Sequence, residues 1–155
     1  RRVLLVGAGG AARGVMEPLL EQRPALLVVA NRTPEKAVDL ARLFCDLGHV
    51  EGCGFPDLQG RRFELVINAT AAGLRDEVPP LPTDVVGDDG WCYDMMYGAG
   101  PTAFVRWARL QGVSHAVDGL GMLVEQAAES FRIWRGVRPR SAPVIAALRE
   151  ELTAG

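Results

Sequence analysis

The residues best placed to do chemistry lie in two clusters, and both suit the binding of a phosphate-bearing ligand. The first is Gly7-Ala8-Gly9-Gly10-Ala11-Ala12-Arg13-Gly14, which follows the apolar run Val3-Leu4-Leu5-Val6 and leads into a helix-like stretch. Strand, glycine turn and helix in that order are what a dinucleotide-binding βαβ unit requires. Gly7 permits the tight turn out of the strand. Gly9 lets backbone N–H groups approach a pyrophosphate with no side chain between. Ala12 takes the third small position, where helix and strand pack closely. The first helical turn then offers free N–H groups and the positive end of its dipole to the anion.

The second cluster is Asn31-Arg32-Thr33-Pro34-Glu35-Lys36, at the end of the next apolar run, residues 26–30. A dinucleotide without a 2′-phosphate is usually held there by an Asp or Glu accepting from the ribose hydroxyls. No acid occupies this tip. Arg32 attracts a 2′-phosphate and can stack on adenine. Asn31 and Thr33 can donate neutral hydrogen bonds, and Lys36, one turn into the following helix, adds positive charge. The cluster reads as a site for NADP rather than NAD. Thr33 also reads as a helix N-cap, with Pro34 at the first helical position.

Acid–base chemistry is harder to find. Lys36 is the only lysine, and it belongs to the adenosine end. A dinucleotide-dependent hydride transfer would also need an acid or base beside the reacting group, and no convincing candidate stands out. His49 and His115 stand alone, without carboxylate or Cys neighbours at ligand spacing, so no metal is expected. Cys45, Cys53 and Cys92 form an odd set with no metal spacing, and are expected to be buried free thiols in a reducing cytoplasm.

Composition sets the frame. The chain has 155 residues, 48% of them hydrophobic and 23% charged, as in a soluble globular protein with a real core. The net charge of −2 favours neither a nucleic-acid groove nor an anionic membrane as partner. No apolar run is long enough to span a bilayer.

Short apolar runs bounded by turn signals predict strands at 3–6, 26–30, 65–68 and 91–94, a weak one near 114–117, and a further one near 50–53. Helical patterns fall at 11–22, 34–44, 102–111, 119–135 and 142–152. Strands alternating with helices predict an α/β fold: a doubly wound, mostly parallel sheet of Rossmann-like type, with the whole chain as one nucleotide-binding domain. Loops are expected at 52–60, 71–90 and 98–101. The long one follows a strand and so lies at the carboxyl edge, where ligands bind in such sheets.

In this order the motifs resemble the nucleotide-binding half of the shikimate dehydrogenase family. They are the glycine turn 7–14, Asn-Arg-Thr at 31–33, Ile-Asn-Ala-Thr at 67–70, Tyr-Asp-Met-Met-Tyr at 93–97 and Asp-Gly-Leu-Gly-Met-Leu-Val-Glu-Gln-Ala at 118–127. Pro143-Val144-Ile145 before the last helix also fits, and the resemblance covers essentially the whole chain.

The resemblance implies NADPH-dependent, reversible reduction of 3-dehydroshikimate to shikimate, a step toward aromatic amino acids. It implies that Gly7, Ala8, Gly9, Gly10 and Ala11 hold the pyrophosphate. Asn31, Arg32, Thr33, Pro34, Glu35 and Lys36 hold the 2′-phosphate end. The 68–71 turn, including Thr70, lines the cofactor, and Met95 and Gly119 border the nicotinamide. Tyr97 and Gln126 reach the substrate's hydroxyls and carboxylate.

Family members carry their catalytic Lys and Asp in an N-terminal domain that would precede Arg1. The chain alone is therefore expected to bind NADP and to be inactive. Helix 119–135 carries Leu120, Met122, Leu123, Ala127, Phe131 and Trp134, more apolar surface than one face requires. Part of it is expected to cover that absent domain. Exposed, it would favour self-association, for instance as a homodimer.

Three other readings stand beside this one. A quinate/shikimate enzyme using NAD would carry an acid at the second strand tip. Glutamyl-tRNA reductase-like nucleotide domains share the Gly-Ala-Gly turn and the Asn-Arg-Thr tip, but fit residues 118–127 poorly. A non-catalytic nucleotide-binding or regulatory module would account for the missing acid but not for Tyr97 and Gln126.

Overall fold

A computed structural model describes residues 1–154. Strands and helices alternate as β1 (Arg2–Val6), α1 (Gly10–Glu21), β2 (Leu26–Ala30), α2 (Pro34–Leu43), β3 (Val50–Cys53), β4 (Phe63–Asn68), β5 (Val86–Asp94), α3 (Ala103–Leu110), β6 (His115–Val117), α4 (Leu120–Arg135) and α5 (Ser141–Ala154). The six strands form one sheet in the order β3-β2-β1-β4-β5-β6. Every pairing is parallel. The expected doubly wound sheet is present. The chain winds outward from β1 toward β3, then returns to place β4 on β1's other side. That reversal opens a crevice beyond the carboxyl ends of β1 and β4.

Both faces of the sheet are buried, which is why its central strands are apolar throughout rather than alternating. Leu4 and Val6 of β1 pack with Val28, Phe63, Val66 and Phe104 on one face. Val3 and Leu5 pack with Met16, Leu20, Val29 and Leu40 on the other. Successive side chains of a strand point to opposite faces, so one short strand feeds both layers.

Two strands begin two or more residues earlier than the apolar runs suggested. β4 starts at Phe63, before the exposed Glu64. β5 starts at Val86, because Gly87-Asp88-Asp89-Gly90 is an irregularity within the strand rather than loop. Phe63 pairs with Val86, and the next matched pair is Leu65 with Trp91. Asp89 has a left-handed backbone, φ 57°. An extra stretch bulged out of a ladder places acidic residues in solvent, which hides the strand from a pattern search. The expected loops also hold short 3-10 helices at Phe55–Leu58 and Ala72–Arg75.

Thr33 sits at the N-cap of α2 as expected, but its side chain makes no capping bond. Its carbonyl instead accepts from Asn31 Nδ2 at 3.1 Å. The cysteines are all free, yet only Cys92 is buried; Cys53 is half-buried and Cys45 exposed. Cys45 lies in the exposed turn that follows α2, outside both layers of the core, which corrects the expectation of three buried thiols. Burial pushes the Cys92 thiol up to about 12. No helix among the described residues is long and apolar enough to cross a membrane.

The C-terminal helices differ from the rest. α4 buries Leu120, Val124 and Ala128, one stripe at helical spacing. It ends at Gly136, whose φ of 73° suits a glycine C-cap. Beyond that stripe the helix is rich in exposed apolar side chains, as expected: Phe131 is 46% exposed, Ile133 67% and Trp134 78%. α5 runs back along α4 and has no buried residue. Polar contacts fasten it. Arg138 pairs with Glu125 and Glu129, and Ser141 Oγ donates to Glu125.

Candidate functional site

The glycine turn lies at the carboxyl end of β1, in the crevice. Gly7 has φ 107°, a conformation that side chains resist, and its N–H donates to the Ala30 carbonyl at 2.7 Å. A Cβ there would also press on Thr70 Cγ2 at 3.1 Å. Gly7 therefore ties the ends of β1 and β2 together while admitting the turn after β4. Gly9 and Gly10 are exposed, with nothing within 4 Å of where a Cβ would sit. No side chain caps α1, and its first turn holds no acid. Ala8 is half-buried and Ala11 exposed, while Ala12 is fully buried against the sheet. The result is an open set of backbone N–H groups at a helix start, which fits a pyrophosphate.

Asn31, Arg32 and Thr70 line one cavity of about 450 Å³ with Phe55, Ala71 and Arg75. The sheet thus brings the tip of β2 and the turn after β4 to the two sides of one cleft. Arg32, Thr33, Pro34, Glu35 and Lys36 are exposed. Neither Arg32 nor Lys36 joins an ion pair among the described residues. Both cations remain available to an incoming phosphate. One expected donor is partly spent, since Asn31 Nδ2 already serves the Thr33 carbonyl.

The other end of the crevice is held by a network that the motifs alone did not disclose. Asn68 and Asp94 end β4 and β5, and both are fully buried. Asn68 Nδ2 donates to Asp94 Oδ1 at 3.1 Å, and Thr102 Oγ1 donates to Asp94 Oδ2 at 2.6 Å. Thr70 Oγ1 and its N–H donate to Asn68 Oδ1 at 2.7 and 3.2 Å. The Met96 N–H donates to Asp94 Oδ1 at 3.1 Å. Two buried side chains thereby set the turn after β4, the turn after β5 and the start of α3. Burial raises the Asp94 carboxyl above its ordinary value, against the opposing hydrogen bonds from Thr102, Met96 and Asn68. Asn68 itself is fully buried; within the 68–71 turn it is Thr70 and Ala71 that line the cavity. A lone acid closing an apolar strand was the signal available in the sequence.

Gly119 is where β6 meets α4, and its N–H donates to the Met96 carbonyl at 2.9 Å. A Cβ at Gly119 would collide with the Met95 carbonyl. The structure therefore brings Met95 and Gly119 together through backbone contact. The Met95 side chain is half-buried and packs on the sheet's core. Tyr97 is 42% exposed and Gln126 is exposed on α4. Both are open to solvent and free to meet a ligand.

Comparison with known proteins follows the same lines. The family model "Shikimate / quinate 5-dehydrogenase" matches residues 1–75, and "Shikimate 5'-dehydrogenase C-terminal domain" matches residues 119–149. "Shikimate dehydrogenase (NADP(+))" of Alkalilimnicola ehrlichii is 62% identical over 97% of this chain and 56% of its own length. The protein of that name from Cellvibrio japonicus is 57% identical over 98% of this chain and 55% of its own length. Among solved structures, an Ael1 enzyme from Pseudomonas putida superimposes with a TM-score of 0.86 at 47% identity, over 99% of this chain and 55% of its own. The chain thus spans about half the length of the relatives it matches.

Proposed function

The chain belongs to the shikimate dehydrogenase family, and from that premise we propose that it is the NADP-binding domain of an enzyme interconverting 3-dehydroshikimate and shikimate. One observation carries the reading: an uncapped glycine turn, tied by Gly7 to Ala30 and set against Thr70, stands beside the strand tip Asn31-Arg32-Thr33, which bears no acid, with Lys36 exposed in the helix that follows. An acid at that tip would repel a 2′-phosphate, so an NAD-using enzyme fits these residues less well. The relatives' shared name, with its NADP(+), supports the same choice.

Each residue then has a task. Backbone N–H groups from Gly7 to Ala11 hold the pyrophosphate, Arg32 and Lys36 the 2′-phosphate, and Asn31, Thr33, Pro34 and Glu35 the neighbouring ribose and adenine. Thr70 borders the middle of the cofactor, and Met95 and Gly119 flank the nicotinamide, which supplies or accepts the hydride when bound. Tyr97 and Gln126 present a hydroxyl and an amide to a polyhydroxylated, carboxylate-bearing ring.

The acids adjoining Met95 and Gly119 in the chain, Asp94 and Asp118, are both engaged, Asp118 by Arg149. Lys36 lies at the adenosine end, and Asp94 is buried and spent on three donors. The remaining part of such an enzyme supplies the group that protonates the carbonyl oxygen. The exposed apolar side chains of α4 and α5 form the face on which that part, or a second copy, packs. Three free cysteines fit the reducing cytoplasm.

The test is to incubate the chain with shikimate and NADP+ while following NADPH absorbance, and to measure its melting temperature with and without NADP+. The reading expects no NADPH and a raised melting temperature. Turnover would overturn the division of labour, and an unmoved melting temperature at saturating NADP+ would overturn the cofactor site.

A further inference from the structure

The last helix reaches back to the strand ends through one side chain. Arg149 of α5 donates from Nη1 to Asp118 Oδ2 at 2.9 Å and from Nη2 to Asp118 Oδ1 at 2.7 Å. Nη1 also approaches the Gly98 carbonyl at 3.5 Å. The Asp118 side chain is only 9% exposed, and its Oδ1 accepts from the Leu120 N–H at 3.3 Å as well. One guanidinium therefore spans the loop leaving β5 and the turn leading from β6 into α4. Those are the segments that carry Met95, Tyr97 and Gly119.

Arg149 stands apart from the other polar contacts of this arm. Arg138 and Ser141 bind Glu125 and Glu129, which keeps them within the α4–α5 pair. Arg149 alone among these ties α5 to the sheet's carboxyl edge. α5 buries no residue, so the grip is not a by-product of core packing. A planar fork closing on both oxygens of one carboxylate fixes orientation as well as distance, which an ammonium cannot do. Its partner turn has little slack, since Gly119 is already pressed on the Met95 carbonyl and bonded to that of Met96.

We propose that Arg149 is a positioning residue for the nicotinamide half of the cofactor. It acts by clamping the Asp118–Gly119 turn against the loop after Met95. This rests on the NADP reading above. The adenosine end, built from the β1 and β2 tips, is independent of the clamp.

The independence gives the test. The 155-residue chain and its Arg149→Ala, Arg149→Lys and Asp118→Asn variants are titrated with NADP+ and with 2′,5′-ADP, which carries the adenosine end alone. Arg149→Ala weakens NADP+ by about fivefold or more and leaves 2′,5′-ADP within about twofold. Arg149→Lys, which keeps the charge and loses the fork, shows the same split. So does Asp118→Asn, which keeps an acceptor for the Leu120 N–H. A merely structural role would weaken both ligands equally. That result, or Arg149→Ala binding both as the unaltered chain does, overturns the proposal and leaves the cofactor reading standing. If the unaltered chain binds neither ligand, the cofactor reading itself falls, and the proposal with it.

Discussion

The two ends of the crevice are built on opposite plans. At the end proposed for the adenosine, Arg32, Thr33 and Lys36 are exposed side chains that hold nothing else in place. At the nicotinamide end the working part is backbone, set by the buried pair Asn68 and Asp94 and by a glycine pressed on a carbonyl. A site made of free side chains can change specificity without touching stability. A site made of positioned backbone cannot, because the bonds that shape it also hold the strand ends together. Substitutions at the two ends should therefore separate binding from folding in opposite ways.

The largest effect is expected at Gly119. Gly119→Ala forces a Cβ onto the Met95 carbonyl, and should cost about 3 kcal/mol in a urea unfolding experiment. Full stability would mean that the turn yields easily and that the nicotinamide end is less rigid than described.

Asp94→Ala comes next. It leaves the buried Asn68 amide and the Thr102 hydroxyl without their acceptor, at a cost of about 2 kcal/mol in the same experiment. The pH dependence sharpens this. Burial raises the Asp94 carboxyl in the folded state, so the native chain holds this proton more tightly than the unfolded chain. Its ionisation is then a destabilising contribution, present above the folded value and relieved as pH falls toward the unfolded one. Melting temperatures should show wild type gaining on Asp94→Asn as the solution is acidified through that window. Wild type losing ground to Asp94→Asn on acidification would reverse the sign.

Arg32→Ala should behave oppositely. Stability stays within about 0.5 kcal/mol of wild type, while affinity for NADP+ falls about tenfold, roughly 1.4 kcal/mol, with NAD+ little changed. Lys36→Ala is the smallest of the set. An exposed charge one turn into α2 should contribute about 0.5 kcal/mol to NADP+ affinity, and less at high salt.

The same contrast governs what could be read from the residues. The adenosine end was legible because it depends on local order: an apolar strand, a glycine turn, and a strand tip with or without an acid. The parallel, doubly wound sheet followed from the alternation of elements, and the exposed apolar face of α4 from a count of Leu123, Phe131 and Trp134 on one helix. The nicotinamide end was legible only in part. Met95 and Gly119 were singled out from their motifs, but the bonds around them join residues far apart in the chain, Asn68 to Asp94 and Asp118 to Arg149. No local pattern encodes such pairs. The early start of β5 was hidden because Asp88 and Asp89 bulge into solvent, and solvated acids between glycines read as loop.

The most direct test of the account is a calorimetric titration of the chain with NADP+ and, separately, with NAD+. The account predicts saturable binding with at least about tenfold preference for NADP+, lost in Arg32→Ala. Equal affinity for the two dinucleotides, or a preference that survives Arg32→Ala, would contradict it.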